Sequence, residues 1–281
     1  MSESATHVPP LKIYRAKSSV HLLEALRALY EQRELLLAWT SREVRVRHKQ
    51  AALGAAWAVL QPLAPMLIFT VIFTNFLRVP TNDVPYPLFS YVALLPWTLF
   101  STAIANGTNS IVNNMGLVSK IQFPREILPL AQIGAALFDF GIGSLLFVAL
   151  MLFYSWSFGW QFLSVFMLLL IQLALMSGLA LILAATTVRF RDIRFVVPLA
   201  LQLWLYATPI IYPLDVVPAR WEWLIRLNPM TALIVGYREA VLFQRWPQAI
   251  DIAYPAACAL LACVVGYLYF KRTEADFADI L

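Results

Sequence analysis

The sequence predicts an all-α polytopic membrane protein with six transmembrane helices, preceded by an N-terminal amphipathic helix in the membrane interface. Three observations lead there. Of the 281 residues, 60% are hydrophobic and only 13% are charged, against about half and about a quarter in soluble domains. The apolar residues fall in continuous blocks, long enough to cross a bilayer core, which takes roughly 20 helical residues. Those blocks do not alternate in polarity, as the roughly ten-residue strands of a membrane barrel would.

In chain order, residues 1–17 are polar and include Pro9 and Pro10, so little regular structure is expected. Over 18–50 the pattern becomes helical, with Leu22, Leu26 and Leu29 on one face. Thr40 followed by Glu43 fits a capping box, which predicts that a second helix starts there. That helix carries Arg42, Arg45 and Lys49 at helical spacing, and a basic amphipathic helix ahead of a span suits the interface. Residues 1–54 thus form an N-terminal segment. The expected spans are 55–77, 88–104, 127–154, 162–188, 195–211 and 252–270. Pro62 and Pro65 bend the first of them. A polar loop, 106–126, joins spans two and three. The stretch 212–251 holds Trp221, Trp223 and Trp246 and an apolar run over 230–243. That run is too short to span, so it is either re-entrant or interfacial. Residues 273–281 form a polar tail.

Charge placement sets the orientation. With a cytoplasmic N-terminus, that side holds the nine Lys and Arg residues before the first span. It also holds Lys120, Arg125, Arg189, Arg191, Arg194, Lys271 and Arg272. The opposite side holds Arg78, Arg220, Arg226, Arg238 and Arg245. Sixteen cations against five place both termini in the cytoplasm. The net charge of +5 therefore suits topology and an anionic lipid surface, and no nucleic-acid partner is expected.

Catalytic patterns are missing. None of the five lysines follows a glycine, so there is no nucleotide-binding loop, and any ATP used must be hydrolysed by another polypeptide. His7, His21 and His48 all precede the first span, which leaves no histidine site in the membrane. Cys258 and Cys263, five apart, point to different helix faces and cannot pair with each other. No metal or cofactor is expected in the chain itself. Asp139 is the one acid well inside a span; it is either an ion site or a carboxylate paired with a donor from a neighbouring helix. No repeat relates the two halves, as it does in many ion-driven carriers. Trp97, Trp204 and Tyr206 lie within spans and either face a lumen or pack. Gly134, Gly141, Gly143, Gly178, Ala180 and Ala184 suit close helix contacts. On the cytoplasmic side, 113–126 sets Lys120, Arg125 and Glu126 beside Ile121 and Phe123. Pro124 makes a helix unbroken into span three unfavourable, so a short helix before it could plug a groove in another protein.

Three segments bear a family resemblance: RELLLAWTSREVRVRHKQAALGAAWAVLQPL (33–63), GLVSKIQFPREILPL (116–130) and TPIIYPLDVVPARWEWLIRLNPMTALIVGYREAVL (208–242). Together with the tail YFKRTEADFADIL they resemble the type-2 ABC permeases that export O-antigen, teichoic acid and related polysaccharides. The resemblance covers the chain from about residue 20, making 55–272 a type-2 ABC transmembrane domain of the bacterial inner membrane. It implies a homodimer with two separate ATP-binding cassette subunits, which bind ATP and Mg. It implies a coupling helix within 113–126, so that Lys120, Ile121, Phe123, Arg125 and Glu126 meet the ATPase. It implies that 212–251 re-enters from the outer side as an exit gate, with Tyr212, Trp221, Trp223, Met230 and Arg238 in it. The substrate it implies is an undecaprenyl-pyrophosphate-linked glycan. Arg42, Arg45 and Arg47 then either receive the pyrophosphate head or simply anchor topology. Two other readings fit the composition: an exporter of the same fold for a drug or simple lipid, and an ion-coupled carrier.

Overall fold

The computed structural model describes residues 31–49, 54, 56–77, 79–81, 83–118, 120–121, 123–275 and 277. The helical face expected over 18–30, and Arg78, lie outside the described residues. Among the described residues, ten α-helices follow one another: α1 (Arg33–Lys49), α2 (Ala56–Val71), α3 (Tyr86–Asn109), α4 (Met115–Val118), α5 (Ile127–Phe153), α6 (Ser164–Arg189), α7 (Ile193–Ala207), α8 (Ala219–Arg226), α9 (Pro229–Val241) and α10 (Ala249–Glu274). Among the described residues there is no strand.

Among the described residues, five helices are long and apolar enough to cross a membrane: α2 with its π-helical end to Phe76, α3, α5, α6 with its 3₁₀ lead from Trp160, and α10. The chain is thus an all-helical polytopic membrane protein. α7 is apolar but has only 15 residues, about 22 Å of helix against a core of about 30 Å. The span expected over 195–211 therefore ends early, at Ala207. The cause is Pro209, whose ring disfavours helical geometry in the residue before it; Thr208 is extended, with ψ 137°.

Another boundary moves for a packing reason. No helix starts at Thr40, because α1 runs unbroken through it. Thr40 instead faces α5 at Gly134, where an added Cβ would lie 2.8 Å from the threonine side chain. The hydroxyl is at a helix–helix contact, not at a helix end.

α3 is the centre of the bundle: 78% of its apolar window is buried, against 17% for α2 and 22% for α5. It packs on α2, α5, α6, α7 and α9. α6 and α10 make the closest pairing. At their crossing a Cβ on Gly178 would run into the backbone of Ala262 and Cys263, and one on Gly266 into Gly178. Small residues let apolar helices approach where lipid offers no competing cost. One end of the bundle gathers 83–85, 154–163 and 208–248, tied by hydrogen bonds from Tyr86 Oη to the Ile211 carbonyl (2.7 Å) and from Trp156 Nε1 to the Leu242 carbonyl (3.1 Å). The other end gathers α4, the 189–193 turn and the C-terminus of α10.

Candidate functional site

The 208–248 end is built around two side chains. Asn228 caps α9: its Oδ1 accepts from the Met230 backbone N–H at 3.0 Å, and Pro229 occupies the first helical position. The same Oδ1 accepts from Trp204 Nε1 at 2.8 Å, and Nδ2 donates to Thr208 Oγ1 at 2.8 Å. This one residue joins the start of α9 to the end of α7. The dipeptide Asn228–Pro229 is legible as a helix start, a signal the sequence reading passed over.

Arg238 makes the second junction. Its side chain is buried, with Nη1 donating to the Pro209 carbonyl and Nη2 to the Ile210 carbonyl, both at 2.6 Å. The guanidinium lies 3.7 Å from the centre of the Phe89 ring. The accepting carbonyls follow the C-terminus of α7, where the helix presents unpaired acceptors and the negative end of its dipole. A guanidinium, with five donors in a fixed fork, meets both needs. Arg238 is therefore a positioning residue, holding the α7 break against α9.

The other expected residues of this end divide by exposure. Met230 is fully buried, and Tyr212 is half-buried. Trp221 and Trp223 are exposed on α8. Trp97 is buried against Phe100 and Trp204, whereas Tyr206 is 54% exposed. Of the three aromatics considered for a lumen, Tyr206 alone presents an open ring. Deeper in, Tyr237 Oη donates to Gln172 Oε1 at 3.0 Å, and Gln172 Nε2 donates to the Pro96 carbonyl at 2.7 Å. This buried chain ties α9, α6 and α3 together.

A cavity of about 460 Å³ opens beside Arg238, among Asp215, Arg226, Glu239, Arg245 and Asp251. Burial pushes the Glu239 carboxyl above its ordinary range, and Arg245 pulls it back.

At the opposite end, Lys120 and Ile121 form an exposed tip. Phe123 is half-buried and stacks on Trp39 of α1, with centroids 6.1 Å apart and planes 11° apart. Arg125 Nη1 donates to the Glu274 carbonyl at 2.6 Å. Glu126 is buried and accepts from Lys271 Nζ at 2.8 Å, which also donates to Glu274 at 2.9 Å. Arg125 and Glu126 thus turn inward to α10, while Lys120 and Ile121 stay open.

α1 lies along α5. Arg47 donates to Asp139 at 3.0 Å and to Gln132 at 2.8 Å, and His48 Nε2 lies 3.0 Å from the second Asp139 oxygen. Asp139 is the expected lone carboxylate, and its partners come from a neighbouring helix. Arg42 is exposed, lying 4.6 Å over Trp39 and contacting Glu43 at 3.2 Å; Arg45 is exposed.

These polar groups join helices at both ends of an apolar bundle, the build of a polytopic membrane domain. The chain belongs to the ABC-2 type transporter family, whose match spans residues 34–242. It is 31% identical to the O-antigen export system permease protein RfbA of Myxococcus xanthus, over 92% of this chain and 99% of that one. It is 28% identical to a protein of the same name from Klebsiella pneumoniae, over 88% and 95%. It is also 28% identical to the polysialic acid transport protein KpsM of Escherichia coli, over 83% and 92%.

Proposed function

We propose that this chain is the membrane subunit of an ATP-driven exporter that moves undecaprenyl-pyrophosphate-linked polysaccharide of the O-antigen kind across the bacterial inner membrane. The near-full-length match to permeases named for O-antigen export and polysialic acid transport is the observation that supports it most. Two copies of the chain pair, and two ATP-binding cassette subunits, holding ATP and Mg, dock on the cytoplasmic end. Both termini are cytoplasmic, α7 is the fifth of six spans and a short one, and 212–251 re-enters from the outer side. The positive charges clustered at the α4 end support this orientation. α1 lies in the interface, where the exposed Arg42 and Arg45 meet a pyrophosphate head while Arg47 holds Asp139. The exposed Lys120–Ile121 tip enters a groove in the ATPase.

Deleting the gene tests the reading. Long-chain surface polysaccharide is expected to vanish, with lipid-linked glycan accumulating inside and both effects reversed by the wild-type gene. Unchanged surface polysaccharide in the deletion strain would rule the reading out.

A further inference from the structure

The 460 Å³ cavity beside Arg238 is not isolated. A second, of about 340 Å³, lies on the other side of Arg226, Val235 and Asp251, walled by Trp223 and Tyr254. Both fall within the range of roughly 300–1,000 Å³ usual for small-ligand pockets. Asp251 stands where they meet. It is only 7% exposed, and among the described residues its carboxylate has no hydrogen-bond or ion-pair partner. Its oxygens open onto the cavities, within the field of Arg226, so a ligand donor can reach a carboxylate that no side chain already bonds. Arg226, its neighbour on the wall, is paired through Nε to Glu222 at 2.8 Å.

The chemistry of the walls selects the ligand. Three guanidinium groups (Arg226, Arg238, Arg245) and three carboxylates (Asp215, Glu239, Asp251) line the larger cavity. The formal charges cancel, so the cavity offers no net attraction to a phosphate or to an acidic sugar. It offers many separate donors and acceptors instead. Trp223 is 61% exposed. Tyr254 is fixed by its hydroxyl, which donates to the Leu227 carbonyl at 2.6 Å, leaving its ring as a wall. Ring faces beside mixed donors and acceptors match a neutral pyranose, which presents hydroxyls around its rim and C–H groups on its faces.

We infer that the paired cavities around Asp251 are a binding site for neutral pyranose units, which holds a stretch of the exported chain on the outer face. This rests on the polysaccharide reading. Asp251 accepts from a sugar hydroxyl, Glu239 and Arg245 flank the next unit, and Trp223 stacks on a ring face.

The test uses the full chain co-purified with its ATPase in phospholipid nanodiscs, free of sugar-headed detergent. The probes are neutral hexasaccharides of glucose, mannose, galactose and rhamnose, with a sialic acid hexamer as the anionic comparator. Binding is read by saturation-transfer NMR and by calorimetry. At least one neutral hexamer is expected to bind, and more tightly than the sialic acid hexamer. Asp251→Asn and Trp223→Ala are each expected to weaken it at least tenfold, and Leu145→Ala, on an exposed face of α5, to leave it unchanged. Trp223→Ala keeps the test valid if Asp251→Asn fails to fold. Absence of binding to every neutral hexamer, preference for the sialic acid hexamer, or wild-type affinity in both variants overturns the inference. Surface polysaccharide in the deletion strain separates the two failures. If it is lost while both variants bind normally, the site fails and the exporter reading stands. If it persists, the exporter reading fails, whatever binds.

Discussion

Arg238 shows how a single side chain can decide a backbone path. Its two nitrogens hold carbonyls that Pro209 has forced out of the helix, and its plane covers Phe89. Lysine brings the same charge but a single ammonium, which cannot span two carbonyls in one fork. Arg238→Lys is expected to lower unfolding stability in nanodiscs by about 1.5–3 kcal/mol, the worth of one charge-assisted hydrogen bond. It should also loosen the 208–248 end without affecting insertion. Unfolding curves overlapping those of the wild type would show that the carbonyls find other donors. Arg238 looked like a gate charge in the sequence, because nothing there reveals that its partners are backbone carbonyls some 28 residues away.

Among the elements, the segment between α3 and α5 is the most informative. Its charges divide: Lys120 is free at the tip, while Arg125 and Glu126 reach α10. A push on the tip would therefore pass to α10 through two short polar contacts and to α1 through the Phe123–Trp39 stack. Phe123→Asp is expected to abolish export at normal membrane abundance and to weaken recovery of the ATPase. Ile121→Asp and Trp39→Ala separate the two routes. If the tip docks, Ile121→Asp releases the ATPase, whereas Trp39→Ala keeps it bound and impairs export alone. Co-purification beside export assays reads the difference, and normal export by Phe123→Asp would place the motor elsewhere. Helix existence here was legible from periodicity and length. Helix ends were not, where a contact overrode a cap signal or a proline outweighed an apolar run. Thr40 looks like a cap but is a packing residue against Gly134, and Thr208 ends α7 four residues before the apolar run does.

At the scale of the whole molecule, the apolar bundle is incomplete as it stands. α2 exposes Trp57, Leu67, Ile68 and Val71, and α7 exposes Phe195, Leu199, Leu203 and Tyr206. Lipid or a second copy must cover those faces, and closed two-fold pairing is the commonest assembly. Native mass measurement of the purified complex is expected to give two copies of this chain with two ATPase chains. A single copy, or a stable trimer, would exclude a shared path between two half-pores.

The sequence alone determined the membrane class, the all-helical architecture, the family and the polysaccharide reading. Each rests on properties that add up along the chain: apolar length, charge placement and extended motifs. Tertiary structure decided what each polar side chain does. Asp139 is satisfied by Arg47 and His48, Trp204 by Asn228 and Glu126 by Lys271, while Asp251 has no hydrogen-bond or ion-pair partner among the described residues. Those outcomes depend on which residues far apart in sequence come within about 3 Å of each other, the range in which a hydrogen bond forms. Hydropathy and periodicity say which face of a helix is apolar, but not which donor from another helix will stand opposite a given acceptor.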